Sequence, residues 1–126
     1  KLHNLLRIIY GKQFKSVHEY LEAVCYTFTE NLDAIAELIR MHGEYPAASM
    51  VDFFGLSSIK ELASGKIDIQ KALFLILEDL NALDRDAREI RSLADEDDIF
   101  DVVAMMEEQS GYYQKTIWFI SSTLAK

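Results

Sequence analysis

The sequence is poor in residues that interrupt secondary structure or cross-link chains, with one proline, five glycines and one cysteine among 126 residues. The single cysteine, Cys25, excludes a disulfide within the chain and favours a reducing, cytoplasmic compartment. No apolar run is long enough to span a bilayer, so we expect no membrane association. Basic residues are also scarce, 13 against 21 acidic ones. The net charge of −8 opposes binding to nucleic acid and favours binding of cations.

Half of the residues are hydrophobic, and the length suits one domain, residues 1–126, with a single core. The proline and four of the five glycines fall between segments in which apolar residues recur at three- and four-residue steps. No segment shows the sustained alternation that is typical of a strand. The sequence therefore predicts an all-α chain.

The longest periodic segment predicts a helix over Ser16–His42. Ser16 and Glu19 match the S-x-x-E capping box at its start, and Gly43 marks its end. The apolar stripe of this helix is Leu21, Val24, Cys25, Phe28, Leu32, Ile35 and Leu38.

Two pairs of potential metal ligands lie away from that stripe, His18 with Glu22 and Asp33 with Glu37. Each pair is spaced i, i+4, so its side chains stack on one helix face. At about 1.5 Å per residue, His18 and Asp33 lie about 22 Å apart, and one ion cannot touch both pairs of the same chain. Two antiparallel copies, related by a twofold axis near Thr27, would create two equivalent shared sites. Imidazole with carboxylates suits iron or zinc, and a carboxylate-rich set without thiolate favours iron or manganese. The alternative interpretation is a solvated helix face.

Three other segments are periodic. Lys1–Tyr10 predicts the end of a first helix that continues upstream of the sequence, Asp68–Leu93 a third helix, and Asp97–Ala125 a fourth after a tight turn at residues 94–96. The apolar stripe of the first helix is Leu2, Leu5, Leu6 and Ile9. The stripe of the third is Leu73, Ile76, Leu77, Leu80, Leu83, Ala87 and Ile90. The stripe of the fourth is Ile99, Val102, Val103, Met106, Tyr113, Ile117, Ile120 and Leu124.

The connection between the second and third helices, Gly43–Ile67, is long enough to cross the length of a bundle. It contains two predicted short helices, Ser49–Phe54 and Ser58–Ala63, the second opened by another S-x-x-E box. The first should pack on the bundle side through Met50, Phe53 and Phe54. This topology predicts a ferritin-like four-helix bundle with one long crossover that carries a short helix.

The segments KLHN, GKQFKSVHEYLE, DAIAE, LSSIKE and QKTIWFI resemble the Dps family of miniferritins (DNA protection during starvation) over nearly the whole chain. His18, Glu22, Asp33 and Glu37 match the family's H-x-x-x-D/E and D-x-x-x-E pairs at the right separation. The resemblance implies a homo-oligomer, a dodecamer built from twofold dimers. It also implies that these four residues bind and oxidise ferrous iron between subunits, usually with hydrogen peroxide, in a stress-response shell that stores ferric mineral.

The sequence departs from the family pattern at the first helix. The family usually has a Tyr-His-Trp triplet with a second ligand histidine, where this chain reads Leu5, Leu6 and Arg7. We expect an aliphatic group to face the site and the ferroxidase to be weakened, because His3 lies one turn too early to substitute. The first helix is expected to be truncated, and the basic tail that many members use to bind DNA would lie upstream. The alternative is a structural or DNA-binding shell, in the nucleoid, with a degenerate metal site.

Acidic residues are dense near the predicted start of the fourth helix, at Asp95, Glu96, Asp97, Asp98 and Asp101. Acidic residues suit the first turn of any helix. The resemblance also implies that Asp97, Asp98 and Asp101 line a pore that admits iron, and that Glu19 faces the cavity and helps to nucleate mineral.

Overall fold

The structure, a computed structural model, describes residues 1–125, and Lys126, the last residue of the predicted domain, lies outside them. Within these residues the chain forms five helices and two very short strands. The elements in order are α1 (Leu2–Ile8), β1 (Ile9–Tyr10), α2 (Phe14–Met41), α3 (Met50–Leu56), β2 (Ile67–Asp68), α4 (Ile69–Glu96) and α5 (Phe100–Leu124). The predicted helical bundle is confirmed, with its long crossover and the short helix inside that crossover.

The strands correct the expectation that the chain has no β-structure. β1 and β2 pair in parallel, with Ile9 opposite Ile67 and Tyr10 opposite Asp68. Both isoleucines are buried, at 5% and 8% exposure. The pair therefore holds the end of α1 against the start of α4, and two residues per strand are too few to produce a visible alternation in the sequence.

Helix α2 begins two residues before the predicted start, so the interpretation of Ser16 and Glu19 as a capping box is wrong. The N-cap is Gln13, whose φ of +62° is left-handed, and no side chain caps the helix. Ser16 Oγ instead donates to the Gln13 carbonyl at 3.0 Å. The predicted end is confirmed, because Gly43 has a φ of +88° and its N–H bonds the carbonyl of Arg40.

The boundary between α4 and α5 lies three residues later than predicted. α4 continues through Ala94, which is buried, and ends at Glu96, so residues 94–96 are helical and not a turn. Asp97 is the C-cap, and Asp98 makes the turn with a φ of +56°. The acidic cluster is therefore divided between the end of α4 and the turn, and only Asp101 lies in the first turn of α5.

The crossover contains one helix and not two. Ser49 caps α3 by accepting from the Asp52 N–H at 3.1 Å. The predicted helix over Ser58–Ala63 does not form, and Ser57 Oγ accepts from the Ile59 N–H in an extended segment. The predicted contacts of α3 with the bundle are also wrong within this chain, because its apolar side chains are exposed. The exposed fractions are 80% for Met50, 40% for Phe53 and 73% for Phe54.

The core lies between α2, α4 and α5, and α1 closes one end of it. Leu5 of α1, Leu21 of α2, Leu80 of α4 and Ile120 of α5 are almost completely buried. Because α1 has only seven residues, it packs along the first half of α2 and leaves the second half uncovered. Two members of the predicted stripes, Leu32 and Ile90, are accordingly exposed.

Candidate functional site: two ligand pairs on one helix

Helix α2 carries both candidate ligand pairs on one continuous run of 28 residues. Glu22, Asp33 and Glu37 are exposed, while His18 is half-buried beside Phe14, with the two ring centroids 5.4 Å apart. Because the three carboxylates are exposed, they remain hydrated and available to a cation. The structure thus places each pair on the surface of the chain and keeps the two pairs apart along the helix.

No three His, Cys, Asp or Glu side chains come close enough to hold a metal ion within residues 1–125 of one chain. The spacing along α2 explains this, because each pair supplies only two donors. A site that uses all four residues must therefore draw on two chains, which is the arrangement that the fifteen-residue spacing predicts.

Leu6 stands at the position where the resemblance to the family implies a ligand histidine. It is 9% exposed and packs in the core with Leu5 and Leu21. His3 is also directed elsewhere, since its Nε2 lies 3.0 Å from an Arg7 nitrogen and its Nδ1 lies 3.5 Å from Cys25 Sγ. The first helix therefore directs no imidazole from position 6 towards the ligand pairs.

The acidic residues between α4 and α5 contact the end of α2 through one ion pair. His42, the C-cap residue of α2, places Nε2 3.0 Å from Oδ2 of Asp101. Asp97 and Asp98 lie in the adjoining turn and are exposed, as is Glu19, whose carboxylate is 4.0 Å from Lys15 Nζ. Asp97, Asp98 and Asp101 form a negatively charged corner at one end of the bundle, to which a cation would be attracted, whereas Glu19 lies near the opposite end of α2.

A buried polar network joins α4 to α5, and the sequence analysis missed it. Asp84 is 6% exposed and accepts from Ser110 Oγ at 2.5 Å, from Gln114 Nε2 at 2.8 Å and from Arg88 Nε at 2.8 Å. Burial alone would raise the pKa of the Asp84 carboxyl, but these donors outweigh burial and lower the pKa below its usual value. The available signal was an aspartate at a core-facing position between Leu80 and Ala87.

Comparisons with known proteins show the family and the fold of the chain. The family model described as a Ferritin-like domain matches residues 1–126. Antigen TpF1 of Treponema pallidum is 34% identical over 98% of this chain and 70% of its own length. Its crystal structure superimposes with a TM-score of 0.96 at 33% identity, over 99% of this chain and 80% of that one. The DNA protection during starvation protein of Helicobacter pylori is 26% identical over 99% of this chain and 87% of its own length.

The fold and the matches therefore define a ferritin-like protein, in which a four-helix bundle carries carboxylate and histidine side chains on its long helices. Within that class the chain belongs to the Dps family, as its sequence predicted. In the described part of the chain, every helix is too short or too polar to traverse a bilayer.

Proposed function

We propose that the chain is the subunit of an iron-storing shell that oxidises ferrous iron at sites shared between two subunits. The observation that carries the proposal is the exposure of Glu22, Asp33 and Glu37 on one helix that lacks a third donor for either pair. Hydrated carboxylates with one imidazole suit ferrous iron, which is here the substrate and not a resident cofactor. The family membership and the named relatives support the assignment to iron storage and protection against oxidative stress.

In the proposed assembly, His18 and Glu22 of one chain face Asp33 and Glu37 of its neighbour across a twofold axis. The twofold symmetry makes the two sites equivalent, and dimers of this kind build the dodecamer. Hydrogen peroxide would be the oxidant: two ferrous ions each lose one electron, the O–O bond breaks, and two protons complete two water molecules. The carboxylates hold the ferrous ions and compensate the extra positive charge of the ferric product.

The proposed site should bind iron more weakly than the site of a typical family member. The residue at position 6 is a buried leucine, which supplies no ligand. One imidazole and three carboxylates provide enough donors for one divalent ion, and a second ion beside it would bind loosely. Because reduction of one peroxide to two water molecules takes one electron from each of two ferrous ions, loose binding of the second ion should slow oxidation of the pair relative to a site with a second imidazole.

The negatively charged corner formed by Asp97, Asp98 and Asp101 would admit iron into the shell, and Glu19 would face the cavity and help to nucleate mineral. A pore of this kind concentrates cations through its summed charge, without requiring a tight binding site. DNA binding remains a second function only for a longer form of the protein, since the net charge of −8 opposes it in these residues.

A titration of the assembled protein with ferrous iron and peroxide, followed by the absorbance of ferric iron, tests the proposal. The Glu22→Gln and Asp33→Asn variants should lose rapid oxidation. Glu30→Gln, which removes an exposed carboxylate from the same helix outside both pairs, should retain it. Equal rates in all three variants would show that the oxidation occurs elsewhere.

A further inference from the structure

Phe14, the first residue of α2, contacts the candidate ligand His18. Their ring centroids lie 5.4 Å apart at an interplanar angle of 38°, a separation typical of favourable aromatic contacts. Phe14 is 46% exposed, whereas His18 is half-buried, so the phenyl ring lies against the imidazole and remains partly in solvent itself. The core therefore gains little from Phe14, and the contact with His18 is the more specific consequence of its position.

This contact depends on where α2 begins. Residues four apart stack on one face of a helix, so Phe14 meets His18 through this spacing only if it is itself helical. Had α2 begun at Ser16, as the capping box predicted, Phe14 would precede the helix and the spacing would not apply. The observed start at Phe14 brings its ring into register with His18.

The turn before α2 fixes this start. Gln13 is the N-cap, with a φ of +62°, and its carbonyl accepts from the Val17 N–H at 3.0 Å. Gly11 has a φ of +136°, and a Cβ at this position would lie 3.3 Å from a carboxylate oxygen of Asp68, which is the N-cap of α4. The start of α2 is thus fixed by close packing against α4 and not by a side-chain cap.

The imidazole of His18 is oriented differently from the other two in the chain. His3 and His42 are hydrogen-bonded to an arginine and to an aspartate, respectively. His18 instead contacts an aromatic ring. A metal-ligating imidazole usually has a neighbouring acceptor that fixes its orientation. Phe14 can replace such a neighbour only by packing, because a phenyl ring restricts the rotamers of His18 without accepting its N–H.

We propose that Phe14 is a positioning residue that holds His18 ready to bind a divalent cation together with Glu22. The three residues are each four apart, and side chains on a helix lean towards its N-terminus, so Glu22 leans towards His18 and His18 towards Phe14. Phe14 therefore supports the imidazole from the side away from the carboxylate. The entropy of ordering the imidazole is then lost when the chain folds and not when the cation binds. This inference rests on the proposed function, since it takes His18 as a ligand.

Binding of Co²⁺ to the assembled protein tests the proposal, because Co²⁺ binds imidazole and carboxylate and its visible absorption reports the coordination. The His18→Ala variant defines the part of the signal that belongs to the candidate site. Phe14→Leu should weaken binding at that site by about three- to tenfold, whereas Phe14→Tyr keeps the aromatic ring and should retain the parental affinity. Phe74→Leu makes the same change at an exposed phenylalanine of α4 and should leave the affinity unchanged.

A double variant separates positioning from a general effect on the fold. With His18 already replaced by alanine, Phe14→Leu should cause no further change in Co²⁺ binding, because the ring that Phe14 supports is gone. Equal affinities for Phe14→Leu and the parent, a weakened Phe14→Tyr, or a further loss in the double variant would each overturn the inference and leave the proposed function standing. If His18→Ala alone left Co²⁺ binding unchanged, His18 would not be a ligand, and the proposed function would fail together with this inference.

Discussion

Ser110 Oγ donates a hydrogen bond of 2.5 Å to Oδ1 of Asp84, and this bond joins the middle of α5 to the middle of α4. Gln114, one turn further along α5, donates to the other carboxylate oxygen at 2.8 Å. The two bonds fix the register of α4 against α5, the most extensive helix pair in the chain. A buried carboxylate is tolerated here because every bond that it accepts replaces a lost contact with water.

Substitution of Asp84 should destabilise the fold more than substitution of a neighbouring acid. Asp84→Ala leaves Ser110 and Gln114 without their acceptor, and we expect a loss of about 3 kcal/mol in the free energy of unfolding. Asp86→Ala on the exposed side of α4 is the matched control and should change stability by less than about 0.5 kcal/mol. Denaturant unfolding measures both; similar losses would mean that the network contributes little.

The lowered pKa of Asp84 also predicts a pH dependence. The ionised carboxylate is stabilised in the fold, so its contribution is fully present above the unfolded pKa of about 3.9 and is lost as the pH falls through the lower folded value. The unfolding free energy of the parent chain should therefore fall more steeply below about pH 4 than that of Asp84→Asn, which cannot titrate. Parallel curves for the two proteins would contradict the lowered pKa.

Restoring an imidazole at position 6 tests why the proposed site is weak. Leu6→His should speed the oxidation of the ferrous pair at each site by tightening the binding of the second ion, if the new ring reaches the ligand pairs. It should also cost stability, because Leu6 is 9% exposed and polar groups are expensive in the core.

Leu6→Gln is the control for that experiment, since it introduces a polar side chain of similar size without an imidazole. It should lose stability to a similar degree and should not speed iron oxidation. An equal gain in both variants would attribute the effect to loosened packing and not to a ligand.

The negatively charged corner can be tested without disturbing its backbone. Asp98 has a φ of +56°, a conformation that asparagine also adopts readily, so Asp98→Asn removes charge at little structural cost. At low ionic strength, the shell assembled from Asp98→Asn should take up iron more slowly than the parent shell. The difference between the two rates should shrink at high salt, because salt screens the charge of the corner. Asp52→Asn, an equal change of charge on α3, should leave uptake unchanged; a matching effect would indicate a role for net charge alone.

The main features of the fold could be predicted from sequence because apolar periodicity records which helix face is buried. Gly43 ended α2 as predicted, since only a residue tolerant of positive φ suits that position. The capping boxes failed because a serine three residues before a glutamate also occurs inside a helix, as Ser16 does, or in an extended segment, as Ser58 does. Packing against the rest of the chain, and not the local motif, determined whether a helix began at Ser16 or at Ser58.

The sequence predicted the distance between the two ligand pairs of the candidate site, but not how the neighbouring side chains pack. The separation of His18 from Asp33 along one helix follows from helix geometry alone, and the structure shows the same separation. The burial of Leu6, by contrast, depends on how α1 seats against α2 and α4, which one-dimensional periodicity does not specify. The Asp84 network was missed for a related reason, because its partners lie 26 and 30 residues away on α5.

Complementation between two inactive variants tests the shared site most directly. One chain carries His18→Ala with Glu22→Gln, and the other carries Asp33→Asn with Glu37→Gln. Each variant alone should lack rapid iron oxidation, because every shared site would retain only one ligand pair. When the two are refolded together, half of the dimers should be mixed and each should regain one complete site, giving about a quarter of the parental activity. A mixture that stays as inactive as its components would contradict a site built from two subunits.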